Sequence, residues 1–417
     1  MWRKIFRPEV IFLLGTLQAL LPYVLAAIGA TPPEVNSLLS DYPLFIWIIG
    51  YACFWIGTRL APRDIPDGVS PPVAVSMSIL KGSLVILILA GLVEMYGLIR
   101  LYGGIPLLAF ASGQLDVNDT NSIQTQSGFG QVGLAALTVF LLIGVVCLIA
   151  IKARQENLRV ARWTLSALLF TLFMSAFNGK RQGILMCVAI LVSCSVIAFG
   201  SPFALVRGFF PLKLKKRGTV VLSILLALVV LKAISGLASL RTSGDVTRSA
   251  TAELALYYEW PILNMSVQSR DAQGFGPSEF KPLGPFQTLL PAKLSFLDDS
   301  VFGTEPPRFE ISSPSGFYER LQWDLGLWGI IPFSLLCGVF TQWMYHRAFR
   351  SHAALLTYGF MAWALFSAAL YNHFLNLLFL PLPALIFFAA SYVNREMRRA
   401  FRYSNGITAR PSNSEVM

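Results

Sequence analysis

Apolar runs of about 17 to 25 residues recur along this chain, each long enough to cross a hydrocarbon core about 30 Å thick. That recurrence limits the fold more than any other feature. Hydrocarbon holds no water to satisfy the backbone, so each run must close its own hydrogen bonds as a helix. The charge content agrees: 13% of the 417 residues are charged and 55% are hydrophobic, against about 25% charged in a soluble domain. The expected fold is an all-α polytopic integral membrane protein. Its ten transmembrane helices fall at roughly 9–29, 43–60, 73–99, 129–151, 163–177, 183–200, 218–240, 325–345, 353–370 and 374–393.

One stretch cannot lie in the hydrocarbon. Residues 241–324 hold 11 of the 22 acidic residues and eight of the 24 prolines. The chain therefore divides into seven spans in 1–240, a large extracytoplasmic loop in 241–324, and three spans with a tail in 325–417. Orientation follows from the positive-inside rule. With the N-terminus cytoplasmic, every alternate connection is basic and together these hold 21 of the 33 Lys and Arg residues. Connections 30–42 and 371–373 hold none. Both termini are then cytoplasmic, as in a multi-pass protein of a bacterial inner membrane. The net charge of +11 is spent on this topology, so nucleic acid is not an expected partner. Lys213, Lys215, Lys216 and Arg217 read as a stop-transfer anchor, and the basic start MWRKIFR reads as the beginning of a retained first helix. Trp163, Trp323, Trp328 and Trp343 sit at span ends as interfacial anchors do. Within the long loop, Thr251–Trp260 has helical periodicity ending at Pro261, and prolines and glycines make 274–315 irregular. The five cysteines lie in apolar blocks without paired spacing or histidine neighbours, which argues against disulfides and metal sites.

No phosphate loop, HExxH or nucleophile elbow is present, and those absences remove the common soluble-enzyme chemistries. Asp298 and Asp299 read as a solvated turn. Lys180 and Arg181 join two short spans on the side where basic residues are otherwise sparse. A fifteen-residue helix reaches only about 22 Å, so these cations sit near headgroup depth. They either snorkel to lipid phosphates or form a pocket for a phosphate or pyrophosphate. Arg241 and Arg248 follow the seventh span and Arg320 precedes the eighth. An arginine fork suits a pyrophosphate, and pairing with Asp245, Glu253, Glu319 or Asp324 is the plainer reading. For acid–base work the outer face offers Glu253, Glu259, Glu319, Asp324 and His373. His373 is either an interfacial turn residue or a base. Glu94 is an intramembrane carboxylate, a functional position by default unless Arg100 or a neighbouring helix pairs with it.

Four features together resemble the bacterial oligosaccharide repeat-unit polymerases of the Wzy type. They are the GGIP turn at Gly103–Pro106, the Gly179-Lys180-Arg181 connection, and the large outer segment before the last three spans. The fourth is the block from Gly316 to Gly329 (GFYERLQWDLGLWG), which runs into an apolar helix containing Gly338. The resemblance implies a metal-independent glycosyltransferase without a cofactor, polymerising repeat units carried on undecaprenyl pyrophosphate. A flippase, a chain-length regulator and membrane lipids are the expected partners. It implies pyrophosphate binding by Lys180, Arg181, Arg241, Arg248 and Arg320, with the catalytic base among His373, Glu319 and Asp324. A polysaccharide or O-antigen ligase of related architecture and a transporter of lipid-linked sugars are the alternatives.

Overall fold

The computed structural model describes residues 2–29, 37, 39–62, 73–111, 131–177, 181–205, 209, 261–269, 276–277, 280–281, 316–370, 372–375 and 380–404. Among these the secondary structure is helical, without a strand. In order the elements are α1 (Trp2–Ile5), α2 (Pro8–Ala27), α3 (Tyr42–Leu60), α4 (Met77–Tyr102), α5 (Pro106–Ala111) and α6 (Gln131–Gln155). Then come α7 (Arg162–Phe177), α8 (Arg181–Phe199) and the helical residues 261–269 (α9). Last are α10 (Glu319–Ala348), α11 (His352–Phe366), a 3-10 turn at His373–Leu375 and α12 (Pro381–Ser404). Five of them, α2, α3, α4, α6 and α10, are long and apolar enough to cross a membrane.

Local chemistry sets the helix ends. Ser76 accepts from the Ile79 amide at 3.3 Å to cap α4, and Ser351 does the same for α11 through Ala354 at 3.5 Å. Such side-chain acceptors satisfy amides that lack a partner in the first turn. The first glycine of the GGIP turn, Gly103, ends α4 with φ of 69°, the left-handed conformation that favours glycine.

Packing is centred on α11, whose residues from His352 to Leu365 are all buried and which touches α2, α8, α10 and α12. Around it the helices approach through small residues. A Cβ added to Gly57 would overlap the Leu335 carbonyl oxygen, and one added to Gly338 would overlap that of Phe54. Hence α3 and α10 meet backbone to backbone. Gly15 brings α2 equally close to the Leu365 carbonyl of α11. Where lipid removes the hydrophobic drive between helices, close approach at small residues supplies the van der Waals attraction. Rings fill the space beside these seams, Phe12 lying 4.3 Å from Phe54 and 5.4 Å from Phe317 between centroids. Outward, Val85, Ile86 and Val93 of α4 and Leu336 of α10 stand exposed, a surface matched to hydrocarbon.

The two ends of the bundle differ. At one end Tyr345 donates to the Arg3 carbonyl at 3.0 Å and Tyr358 to the Phe6 carbonyl at 2.6 Å. There Lys152 donates to the Val73 carbonyl at 3.5 Å and Arg154 to that of Ala204. Basic side chains gather at this end. At the other, Tyr23 donates to the Ser40 carbonyl at 2.7 Å, and the Ser40 amide donates to Ser266 at 3.2 Å.

Several sequence boundaries need correction. The eighth helix begins at Glu319, not at 325, so the charged stretch assigned to the loop is its first turns. The described chain is helical over 261–269, so Pro261 lies within helix instead of ending one. Residues 261–266 and 268 are buried. The last helix is described from Pro381 and runs to Ser404, with a 3-10 turn at His373–Leu375. Trp328 is exposed as an anchor would be, while Trp323 is buried among the helices. The expected span 218–240 and the helix Thr251–Trp260 lie outside the described residues, as do Asp298 and Asp299.

Candidate functional site

The block from Gly316 to Gly329 builds the site. Its local fold is forced by Gly326, which interrupts α10 with φ 60° and ψ −153°. Only glycine adopts that region without strain. A side chain on Gly329 would overlap Leu325, so the second glycine lets the turns on either side of the break close together. Pro332, also inside α10, removes one further intrahelical donor. The first piece, 319–325, thus stands apart from the long helix below it and carries most of the block's polar side chains.

Glu319 is fully buried. Three neutral donors converge on it: the Gly316 amide at 3.2 Å, Gln268 Nε2 at 3.3 Å and Asn264 Nδ2 at 3.5 Å. Asn264 and Gln268 are one turn apart on α9, so the loop's buried helix is fastened side-on to the start of α10. Asp324, also fully buried, pairs with Arg320 across one helical turn. The arginine keeps some exposure, 20% of its side chain, so the pair has one face in the protein and one facing out. The Asp324 carbonyl accepts from the Lys281 amide at 3.1 Å.

Behind this wall stands Tyr318, its hydroxyl 2.8 Å from Ser334 Oγ and its ring 4.9 Å from that of Trp47. The turn that follows α11 docks on the same block. Phe317 donates its amide to the Ala368 carbonyl at 2.9 Å, and Asn372 Nδ2 donates to the Phe317 carbonyl at 2.8 Å. His373 comes with that turn and is buried, and burial pushes its imidazole down from 6.5 to about 3. It is neutral at ordinary pH.

Of the residues marked in the sequence, the structure therefore brings Arg320 and Asp324 into contact. It holds Glu319 on the same short piece and sets His373 on the turn docked beside it. The pairing of Arg320 with Asp324 is the plainer of the two readings given for that arginine. Glu319 and Asp324, expected on a solvated face, are both buried because the helix starts earlier than its hydropathy suggests. Arg181 opens α8, and its side chain lies outside the described residues, as do Lys180, Arg241, Arg248, Glu253 and Glu259. Glu94 sits half-buried on α4 while Arg100 turns over the Tyr96 ring, 5.9 Å from its centroid. Sequence reasoning missed Asn264 and Gln268. The i, i+4 spacing of Asn264 and Gln268 was a usable sign of one polar helix face.

Chemically the assembly offers a guanidinium fixed to a buried carboxylate, a second carboxylate that accepts from amide donors, and an imidazole on the turn docked beside them. A guanidinium so fixed can receive developing negative charge without reorganising. No family model, curated protein or solved structure matches this chain, so these residues themselves carry the functional reading.

Proposed function

We propose that this chain is a ten-span membrane glycosyltransferase that polymerises oligosaccharide repeat units carried on undecaprenyl pyrophosphate at the outer face of a bacterial cytoplasmic membrane. In this reading the basic end of the bundle faces the cytoplasm and the end bearing Gly316–Gly329 faces outward. The observation that carries it is the coincidence of motif and geometry. The block most like the repeat-unit polymerases is also where a membrane-crossing helix is broken at a glycine and lined with buried charge. Broken helices at membrane depth are tolerated where backbone is buried in protein or lines a cavity, and they accompany binding sites.

Arg320, oriented by Asp324, takes the growing charge on the departing lipid pyrophosphate, with Lys180, Arg181, Arg241 and Arg248 as further donors. His373 accepts the proton from the acceptor sugar's hydroxyl. A base whose conjugate acid lies near 3 is weak, and a bound pyrophosphate beside it raises its proton affinity through the opposite charge. Glu319 shapes the wall by accepting from the Gly316 amide, Asn264 and Gln268.

The test is the surface polysaccharide of a strain lacking the chain, resolved on a gel. Loss of polymerisation leaves a single repeat unit on the final acceptor. Absence of any unit there indicates a ligase, and units trapped inside the cell indicate a carrier; either result overturns the proposal. Complementation with Arg320→Ala is expected to leave single units although the protein reaches the membrane in normal amount.

A further inference from the structure

Within the ten expected spans, three charges lie more than three residues from either end: Lys81, Glu94 and Lys232. Lys81 belongs to the basic end, where its ammonium lies 5.5 Å over the Trp163 ring. That leaves one anion and one cation. Glu94 stands half-buried on α4. Among the described residues, ion pairs join Arg7 to Glu9, Lys152 to Glu156 and Arg320 to Asp324, and none reaches Glu94. Arg100, the nearest cation along the same helix, is held over the Tyr96 ring. A carboxylate inside a membrane span is costly unless a cation meets it.

The flank of α4 that carries Glu94 has room for a further helix. Of the five long apolar helices, α4 is the least buried. On one side Gly91 lies against Met174 of α7, and Leu98 packs with Ala135 of α6 and Phe177 of α7. On the other side Leu89, Val93 and Tyr96 are exposed. Glu94 falls between these faces, in line with Ser83, Leu87, Ala90 and Leu101, all half-buried. Lys232 belongs to the expected span 218–240, outside the described residues. It precedes the end of that span at Leu240 by eight residues, and Glu94 precedes the end of α4 at Tyr102 by eight. At 1.5 Å per residue, each charge lies about 12 Å short of its helix's end. The two are the third and seventh of the expected spans, so they cross the membrane in the same direction and these depths coincide.

We infer that the span 218–240 docks on this flank of α4, with the Lys232 ammonium paired to the Glu94 carboxylate. Opposite charge, equal depth and the uncovered flank all select the same partner. Small and half-buried residues, Ser83 and Ala90, let a second helix come close. The pair also fixes where the long polar segment begins. Arg241 follows Lys232 by nine residues, as Gly103 follows Glu94 by nine. The first residue of the segment therefore comes level with the GGIP turn. The inference rests on the expected seventh span and not on the proposed reaction.

Charge exchange on the full-length protein tests it without reference to polymer. Glu94→Lys and Lys232→Glu each set like charges together, and each is expected to lower the melting temperature in a mild detergent. The double variant restores the pair in reverse and is expected to recover most of that loss. Single variants as stable as wild type, or a double variant no more stable than the worse single one, overturn the pairing. Where a single variant fails to accumulate, proximity decides. Glu94→Cys combined with Lys232→Cys is oxidised in membranes with copper phenanthroline and digested for mass spectrometry. A disulfide-linked peptide joining positions 94 and 232 of one chain is the expected result. No link, or a link only between differently tagged copies of the chain, overturns the inference.

Discussion

The two ends of the bundle hold charge in opposite ways. At the basic end Arg3 lies 5.3 Å over the Phe349 ring and Arg347 lies 4.9 Å over that of Trp343. Arg154 donates to a backbone carbonyl, and Lys4 and Arg350 are exposed. At the end bearing Gly316–Gly329 the carboxylates Glu319 and Asp324 are fully buried among side-chain partners. A solvated or lipid-facing cation needs only water, headgroups or a ring face. A buried carboxylate needs specific donors, because its desolvation is otherwise uncompensated. The first end is tolerant of its neighbours' identity and the second is not. That contrast separates an end whose charges are interchangeable from one whose charges depend on named partners.

The contrast breaks most visibly if a charge is removed from each end in turn. Asp324→Ala leaves Arg320 partly buried without its carboxylate, and the stability loss expected for breaking a buried pair is about 3 to 5 kcal/mol, reduced toward the lower figure by the arginine's exposure. Lys4→Ala is expected to cost under about 0.5 kcal/mol. Thermal denaturation of both variants in one detergent measures the difference. Equal losses would erase the distinction drawn between the ends.

A second effect, confined to one pH window, is expected from acid. His373 has its imidazole pushed below the unfolded value of 6.5 to about 3 by burial. Between those values the unfolded chain binds a proton that the folded one does not, so stability rises with pH across that window. Melting temperature is expected to fall as pH drops from about 6.5 toward 3, with the slope reduced in His373→Gln. An unaltered slope in that variant would assign the acid sensitivity to other groups.

A local effect is expected at the basic end. Tyr345→Phe removes the hydroxyl that donates to the Arg3 carbonyl, worth about 1 kcal/mol. It should loosen the N-terminal turn without altering polymer length. Protease sensitivity of residues 2–7 reports the first part and the polysaccharide gel the second. A change in polymer length would tie the basic end to the reaction.

These differences also explain what could be read in advance. Apolar runs fold locally, so α2, α3, α4 and α6 fall close to where hydropathy puts them. The start of α10 does not, because Glu319, Arg320, Gln322 and Asp324 depress hydropathy over turns that are nonetheless helical and buried. What buries them lies far away in the chain: Asn264 and Gln268 fasten Glu319, and Asn372 fastens Phe317. Sequence spacing cannot reveal partners brought together only by the fold. Gly326 and Gly329 were visible as a pattern, but the reason for the pattern is a backbone angle.

The seam between α3 and α10 carries a mechanical consequence. Where Gly57 and Gly338 cross, main chain presses on main chain with no side chain between them to yield. Most helix pairs slide on a cushion of rotamers, which acts as a bearing. This one is closer to a weld. A tilt imposed on either helix is passed to its neighbour as a rigid beam passes torque, and the crossing point serves as the fulcrum along the length of the bundle.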